Sequence, residues 1–195
     1  STMSVAAVAL QRVLDIKAVW EISNRGAISV KMQVKKNMEF PQLPRFGIRL
    51  FLKEEYENLK YYGLGPHESY RDNCKSCSHG LYDATVEEQH EDYIRPQENG
   101  SHTDCDYVMI EKENQTVIAV SPKPFSFNVS YYTQEELARK AHNYELEKSG
   151  NTIVCLDYAQ NGIGSNSCGP ELRDEYQVDE ETFVFEIKLL FRKEE

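Results

Sequence analysis

Glu68 and Asp72 stand four residues apart in Gly63-Leu64-Gly65-Pro66-His67-Glu68-Ser69-Tyr70-Arg71-Asp72, with Arg71 between them. Two carboxylates at close range are the equipment of glycoside hydrolysis, in which acid and nucleophile stand about 5 Å apart in retaining enzymes. The same pair can accept hydrogen bonds from loop backbone that has no sheet or helix to satisfy it. Arg71 is then free to pair with either carboxylate, and this bracing role is the better reading of the pair. Gly63 and Gly65 predict a turn with close backbone approach or positive φ, from which Pro66 fixes the exit. A phosphate cradle is excluded, because no GxGxxG spacing opens a helix here.

Three other groups of residues could do chemistry. In Tyr93-Ile94-Arg95-Pro96-Gln97-Glu98-Asn99-Gly100, the Asn-Gly pair predicts a turn. Glu98, Asn99 and His102 either face a concave sugar site or lock this turn against the Gly63–Tyr70 loop, and the locking role is the expectation. Gly162-Ile163-Gly164-Ser165-Asn166-Ser167-Cys168-Gly169-Pro170 is the strongest candidate for substrate contact. Its glycines allow a tight exposed loop, and its small hydroxyls and amide suit sugar hydroxyls. Cys74-Lys75-Ser76-Cys77 has metal-site spacing, with His67 and His79 nearby. Zinc needs four ligands, however, and no second C-x-x-C follows, so no metal is assigned. Five cysteines form no paired secretory framework. With no basic n-region before the apolar run Val5–Leu10, they predict a reducing, cytoplasmic setting.

The elements that must hold these residues are mainly strands. Ile16, Ala18, Trp20 and Ile22 alternate with polar neighbours. After Asn24-Arg25-Gly26 the same period returns at Ile28, Val30, Met32 and Val34, as in a hairpin. Trp20 falls on the apolar face of this hairpin and is expected in the core. Period two recurs at Phe46–Leu52, Phe125–Tyr131 and Phe183–Phe191. Shorter candidates lie at Leu59–Tyr62, Leu81–Val86, Asp106–Glu111, Gln115–Val120 and Thr152–Tyr158. Thr133 and Glu136 make a capping box for one short helix over Thr133–Lys140. The pattern predicts a mainly antiparallel β-sandwich. Neither linker nor repeat divides residues 1–195, and a chain of this length can bury a sizeable core in one domain. A net charge of -10 with scattered basic residues excludes a nucleic-acid surface. No apolar run is long enough for a membrane helix.

Four segments in order, namely Leu43-Pro44-Arg45-Phe46-Gly47, Tyr62–Asp72, Tyr93–Gly100 and Asp157-Tyr158 with Gly162–Cys168, resemble the C-terminal β-domain of family 2 glycoside hydrolase β-galactosidases. The second segment resembles their GxGPxExYxD signature. The resemblance implies a large sandwich (supersandwich) like that of galactose mutarotase, of which this chain is the C-terminal part. It makes Gly63, Gly65, Pro66, Glu68, Tyr70, Asp72, Pro96, Glu98, Asn99 and Gly100 a structural signature rather than catalytic residues. It places Gly164, Ser165, Asn166, Ser167 and Cys168 at the rim of an active site carried by a separate barrel, where some members present a tryptophan and this chain has Cys168. The implied activity is hydrolysis of terminal β-D-galactose from β-galactosides, with magnesium in the parent and no cofactor in this part. The implied partners are the parent's other domains, the β-galactoside at their boundary and further copies in a homo-oligomer. Two other classes stay open: a free-standing carbohydrate-binding module, and a mutarotase-like epimerase using His67 or His102 as acid and Glu98 as base.

Overall fold

The computed structural model describes residues 1–6, 11–164 and 170–193. Ten antiparallel strands follow one another as β1 (Thr2–Ala6), β2 (Arg12–Ile22), β3 (Ile28–Lys36), β4 (Arg45–Lys53), β5 (Asn58–Gly65), β6 (Ser78–Thr85), β7 (Ser101–Lys112), β8 (Gln115–Ser130), β9 (Asn151–Gln160) and β10 (Thr182–Lys193). They build a β-sandwich. One layer runs β1-β2-β3-β10-β8-β7-β5-β6, while β9 joins β8 to β4 in the other.

The strand β8 belongs to both layers. Its first half, Gln115–Val120, pairs with β10, and its second half, Ser126–Ser130, pairs with β9. Between the halves stands Ser121-Pro122-Lys123-Pro124, whose two prolines cannot donate to a ladder, so the pairing breaks there. Alternation predicts two strands on either side of this point; the structure makes them one strand that changes layer. The layers meet through Phe46 of β4 on Phe183 of β10, at 5.0 Å between ring centres, and through Tyr158 of β9 on the same ring at 4.4 Å. Phe183, Phe185, Ile187 and Leu189 are buried at alternate positions of β10, as period two requires. In β9 and the second half of β8, both faces are buried, including Asn128 and Asp157.

The short helix α1 (Gln134–Arg139) starts where the capping pattern places it: the Thr133 hydroxyl accepts the Glu136 N–H at 3.1 Å. The Glu136 carboxylate turns to Arg139, Lys140 and the Glu147 N–H instead of completing the box. Trp20 departs from expectation. It is 51% exposed and lines an open groove between β2 and the edge strand β4, because the second layer does not extend over the far end of the hairpin. Gly63 and Gly65 also lie in a strand rather than a turn, opposite Gly80 and Ser78 of β6, and neither has positive φ. What they share with the expectation is close approach. A side chain at Gly63 would overlap Cys105, and one at Gly65 would overlap Tyr61 and Tyr82.

Candidate functional site

The four ordered segments, far apart in sequence, come together at one end of the sandwich in a single network of hydrogen bonds. Arg45, at the start of β4, reaches Asp157 of β9 across 112 residues, with Nε 3.4 Å from Oδ1 and a second bond between Nη2 and Oδ2. Its Nη1 lies 3.1 Å from Glu98 Oε2. Burial opposes the charge on Arg45, but Asp157 and Glu98 outweigh it and hold the guanidinium firmly protonated. The carboxyls of Glu98 and Asp157 both sit above their ordinary range. Burial is the main cause, and Arg45 offsets only part of it. Gly47 makes the approach possible, since a β-carbon there would overlap Leu156 and Asp157.

Glu68 joins the second segment to the third. Its carboxylate accepts the Tyr93 hydroxyl at 2.5 Å and the Gly100 N–H at 2.7 Å. The bond to Glu68 pushes the Tyr93 phenol up to about 12. Gly100 has φ of +68°, and a side chain there would also overlap the Gln89 carbonyl, so glycine is required twice over. Asn99 is 5% exposed and closes the same turn, taking the Glu91 N–H at 3.1 Å and donating to the Gln97 carbonyl at 2.9 Å. Pro96, in the same segment, is buried. Tyr70 is fully buried, with its phenol oxygen accepting the Ser101 N–H at 3.4 Å; burial raises its pKa well above the ordinary value.

Asp72 joins the second segment to the fourth. Tyr70 and Asn73 exchange backbone bonds of 3.0 Å around it, so it projects from a closed two-residue turn. One oxygen accepts the Ile163 N–H at 2.9 Å and the other the Gly164 N–H at 2.7 Å. The two residues before these are held as well. Asn161 donates to the Pro44 carbonyl at 2.9 Å and Gly162 to the Tyr176 carbonyl at 3.1 Å, giving four successive amides with four fixed acceptors. Gly162 and Gly164 admit the carboxylate: a β-carbon on Gly162 would overlap the Asp72 carboxyl carbon, and one on Gly164 would stand 2.8 Å from Oδ2. Ser165, Asn166, Ser167 and Cys168 lie outside the described residues.

One pairing offered by the sequence does not form. Arg71 pairs with neither neighbouring carboxylate and donates to the Gln177 carbonyl at 3.0 Å. His102 does not face a cleft. It is 1% exposed, with Nδ1 3.0 Å from the Leu64 carbonyl and Nε2 2.5 Å from the Gln89 side-chain amide, and burial lowers its pKa to about 4. A neutral ring that donates from Nδ1 must accept at Nε2, so the Gln89 amide presents its NH₂ there. Cys77 donates to the carbonyls of His67 and Glu68 at 3.5 and 3.6 Å. Among the described residues no group of three or more His, Cys, Asp or Glu side chains stands close enough to hold a metal ion, and no helix is long and apolar enough to cross a membrane. Asn161 is a bracing residue that sequence reasoning missed: its Oδ1 accepts the Val178 N–H at 2.7 Å. No local signal marks such a contact, because the partner returns from a separate stretch of chain.

Fold and network together define an antiparallel β-sandwich module that spends its buried polar groups on bracing surface loops. The match with known proteins specifies the module. A family model described as beta galactosidase small chain matches residues 1–189, and the chain belongs to that family. Curated relatives named beta-galactosidase include one from Actinobacillus pleuropneumoniae, 43% identical over 97% of this chain, and one from Staphylococcus xylosus, 38% identical over 94%. One from Kluyveromyces lactis is 35% identical over 87%. The chain spans only 18%, 18% and 16% of the length of these three relatives.

Proposed function

We propose that this chain is the C-terminal accessory sandwich of a β-galactosidase, the C-terminal part of a larger sandwich domain, folding over 1–195 as one unit. The parent would hydrolyse terminal non-reducing β-D-galactose residues of β-galactosides such as lactose, by double displacement between two carboxylates of a separate barrel. The sandwich supports that barrel, and its loop Gly164–Cys168 forms part of the active-site rim. With Cys168 in place of a tryptophan, the loop meets sugar through small polar groups and backbone rather than by stacking. The parent is a cytoplasmic homo-oligomer that uses magnesium, held by residues of its other domains.

The observation that carries this reading is how the carboxylates of the four segments are used. Glu68, Asp72, Glu98 and Asp157 are each engaged by an arginine, a tyrosine or backbone N–H groups of this chain. None is left as a free acid and base pair facing solvent, which suits a module that presents a loop rather than one that catalyses. The buried, doubly bonded ring of His102 likewise disfavours an epimerase. The test compares the purified chain with the full-length parent on o-nitrophenyl β-galactoside. The parent should turn over and the chain alone should not, while Asn166→Ala in the parent should raise KM for lactose. Hydrolysis by the isolated chain, or an unchanged KM in the loop variant, would refute the reading.

A further inference from the structure

We infer that Asp72 is a positioning residue for β-galactoside binding, acting through the Gly162–Gly164 turn without touching the sugar; this rests on the reading of the following loop as part of the active-site rim. Three features converge on it. Of the four acceptors that hold the successive amides of residues 161 to 164, Pro44 and Tyr176 offer backbone carbonyls, and Asp72 offers the charged side chain. Its bonds fall on Ile163, which immediately precedes the proposed rim loop, and on Gly164, the first residue of that loop. An ionised carboxylate makes about twice the bond of a neutral acceptor, so Asp72 contributes most to holding the Ile163 and Gly164 amides in place. The carboxylate is itself aimed. The Tyr70–Asn73 turn closes behind it, Tyr70 is fully buried, and Arg71 is fastened to Gln177 on the same return segment that carries Tyr176.

The spacing of the fourth segment answers to the same carboxylate. Glycine at 162 and at 164 leaves room for Asp72 to lie against the backbone, while Ile163 between them supplies an N–H. Gly162 and Gly164 are therefore fitted to Asp72. The glycines that make this stretch look like a flexible sugar loop serve, at these two positions, to let it be held still.

The test uses the full-length parent enzyme carrying Asp72→Asn or Asp72→Ala. It measures kcat and KM for lactose together with hydrogen exchange at the Ile163 and Gly164 amides. Displacing a binding group by about 1 Å can cost up to roughly a hundredfold, and loss of binding shared by ground and transition states appears in KM. Asp72→Ala should therefore raise KM by about ten- to a hundredfold with kcat changed far less, and both amides should lose protection. Asp72→Asn keeps one acceptor oxygen and should fall between. Retained amide protection with unchanged KM in Asp72→Ala, while Asn166→Ala still raises KM, overturns the role of Asp72 and leaves the rim reading standing. Lost protection with unchanged KM in both Asp72→Ala and Asn166→Ala overturns the rim reading and the inference with it. If Asp72→Ala does not assemble, Asp72→Asn decides the matter by the same two readouts.

Discussion

Replacing Arg45 by methionine removes the one cation that Glu98 and Asp157 share in this network. The Asp157 side chain is 4% exposed and cannot recover its hydration, whereas Arg45 and Glu98 are about a quarter exposed and keep some water. Breaking a buried pair by removing one partner costs about 3–5 kcal/mol, and the partial exposure argues for the lower end, about 3 kcal/mol. For a chain of this size each kcal/mol moves Tm by roughly 2–4 °C, so Arg45→Met should unfold about 6–12 °C early. The pH dependence follows from the direction of the shifts. Glu98 and Asp157 already have raised folded values, so their contribution is fully present below the ordinary carboxylate range and lost as pH rises through the folded values. Arg45 lowers both, and without it both rise further. The deficit of the variant should then be larger at pH 8 than at pH 5. Thermal unfolding followed by circular dichroism at the two pH values reads both quantities. A Tm loss under about 2 °C at pH 8, or a deficit equal at both pH values, would refute the account of a shared buried counter-charge.

Gly100→Ala should cost about 2–5 kcal/mol, the sum of a left-handed residue and an overlap with the Gln89 carbonyl; denaturant unfolding measures it, and a cost below 1 kcal/mol would contradict the geometry. His102 should show no imidazole titration by NMR between pH 5.5 and 8. Because its folded pKa near 4 lies below the unfolded value of about 6.5, stability should be lost as pH falls between the two, by about 3 kcal/mol in all; an imidazole titrating near 6.5 in the folded protein would disprove its burial. Trp20, half-exposed in the groove beside β4, should be readily quenched by acrylamide in this chain, and protection like that of a buried indole would return it to the core.

Most of the strands are legible in the sequence because a half-buried strand writes its face as a period of two. Phe183, Phe185, Ile187 and Leu189 are buried as the alternation requires, and Thr133 caps the helix it marks. Legibility fails where burial depends on what lies opposite. Trp20 has the period of a core residue but faces an open groove beside β4, and β8 reads as two strands because the prolines that break its ladder do not end its direction. Arg71 shows the same limit for charges. Proximity in sequence offers it Glu68 and Asp72, but the turn aims it at Gln177 while those carboxylates face backbone N–H groups.

By itself the sequence determined the β class, the helix cap and the order of the four polar segments, because each is written in neighbouring residues whose spacing matches a local geometry. Only the tertiary structure decided what those segments do to one another. Arg45 meets Asp157 across 112 positions, Glu68 meets Gly100, and Asp72 meets Ile163 and Gly164, and no periodicity encodes such meetings. They arise because β4 starts where β9 ends, beside the loops that follow β5 and precede β7. There the loops lack a ladder, and their N–H groups must find acceptors in whatever carboxylate the fold brings near.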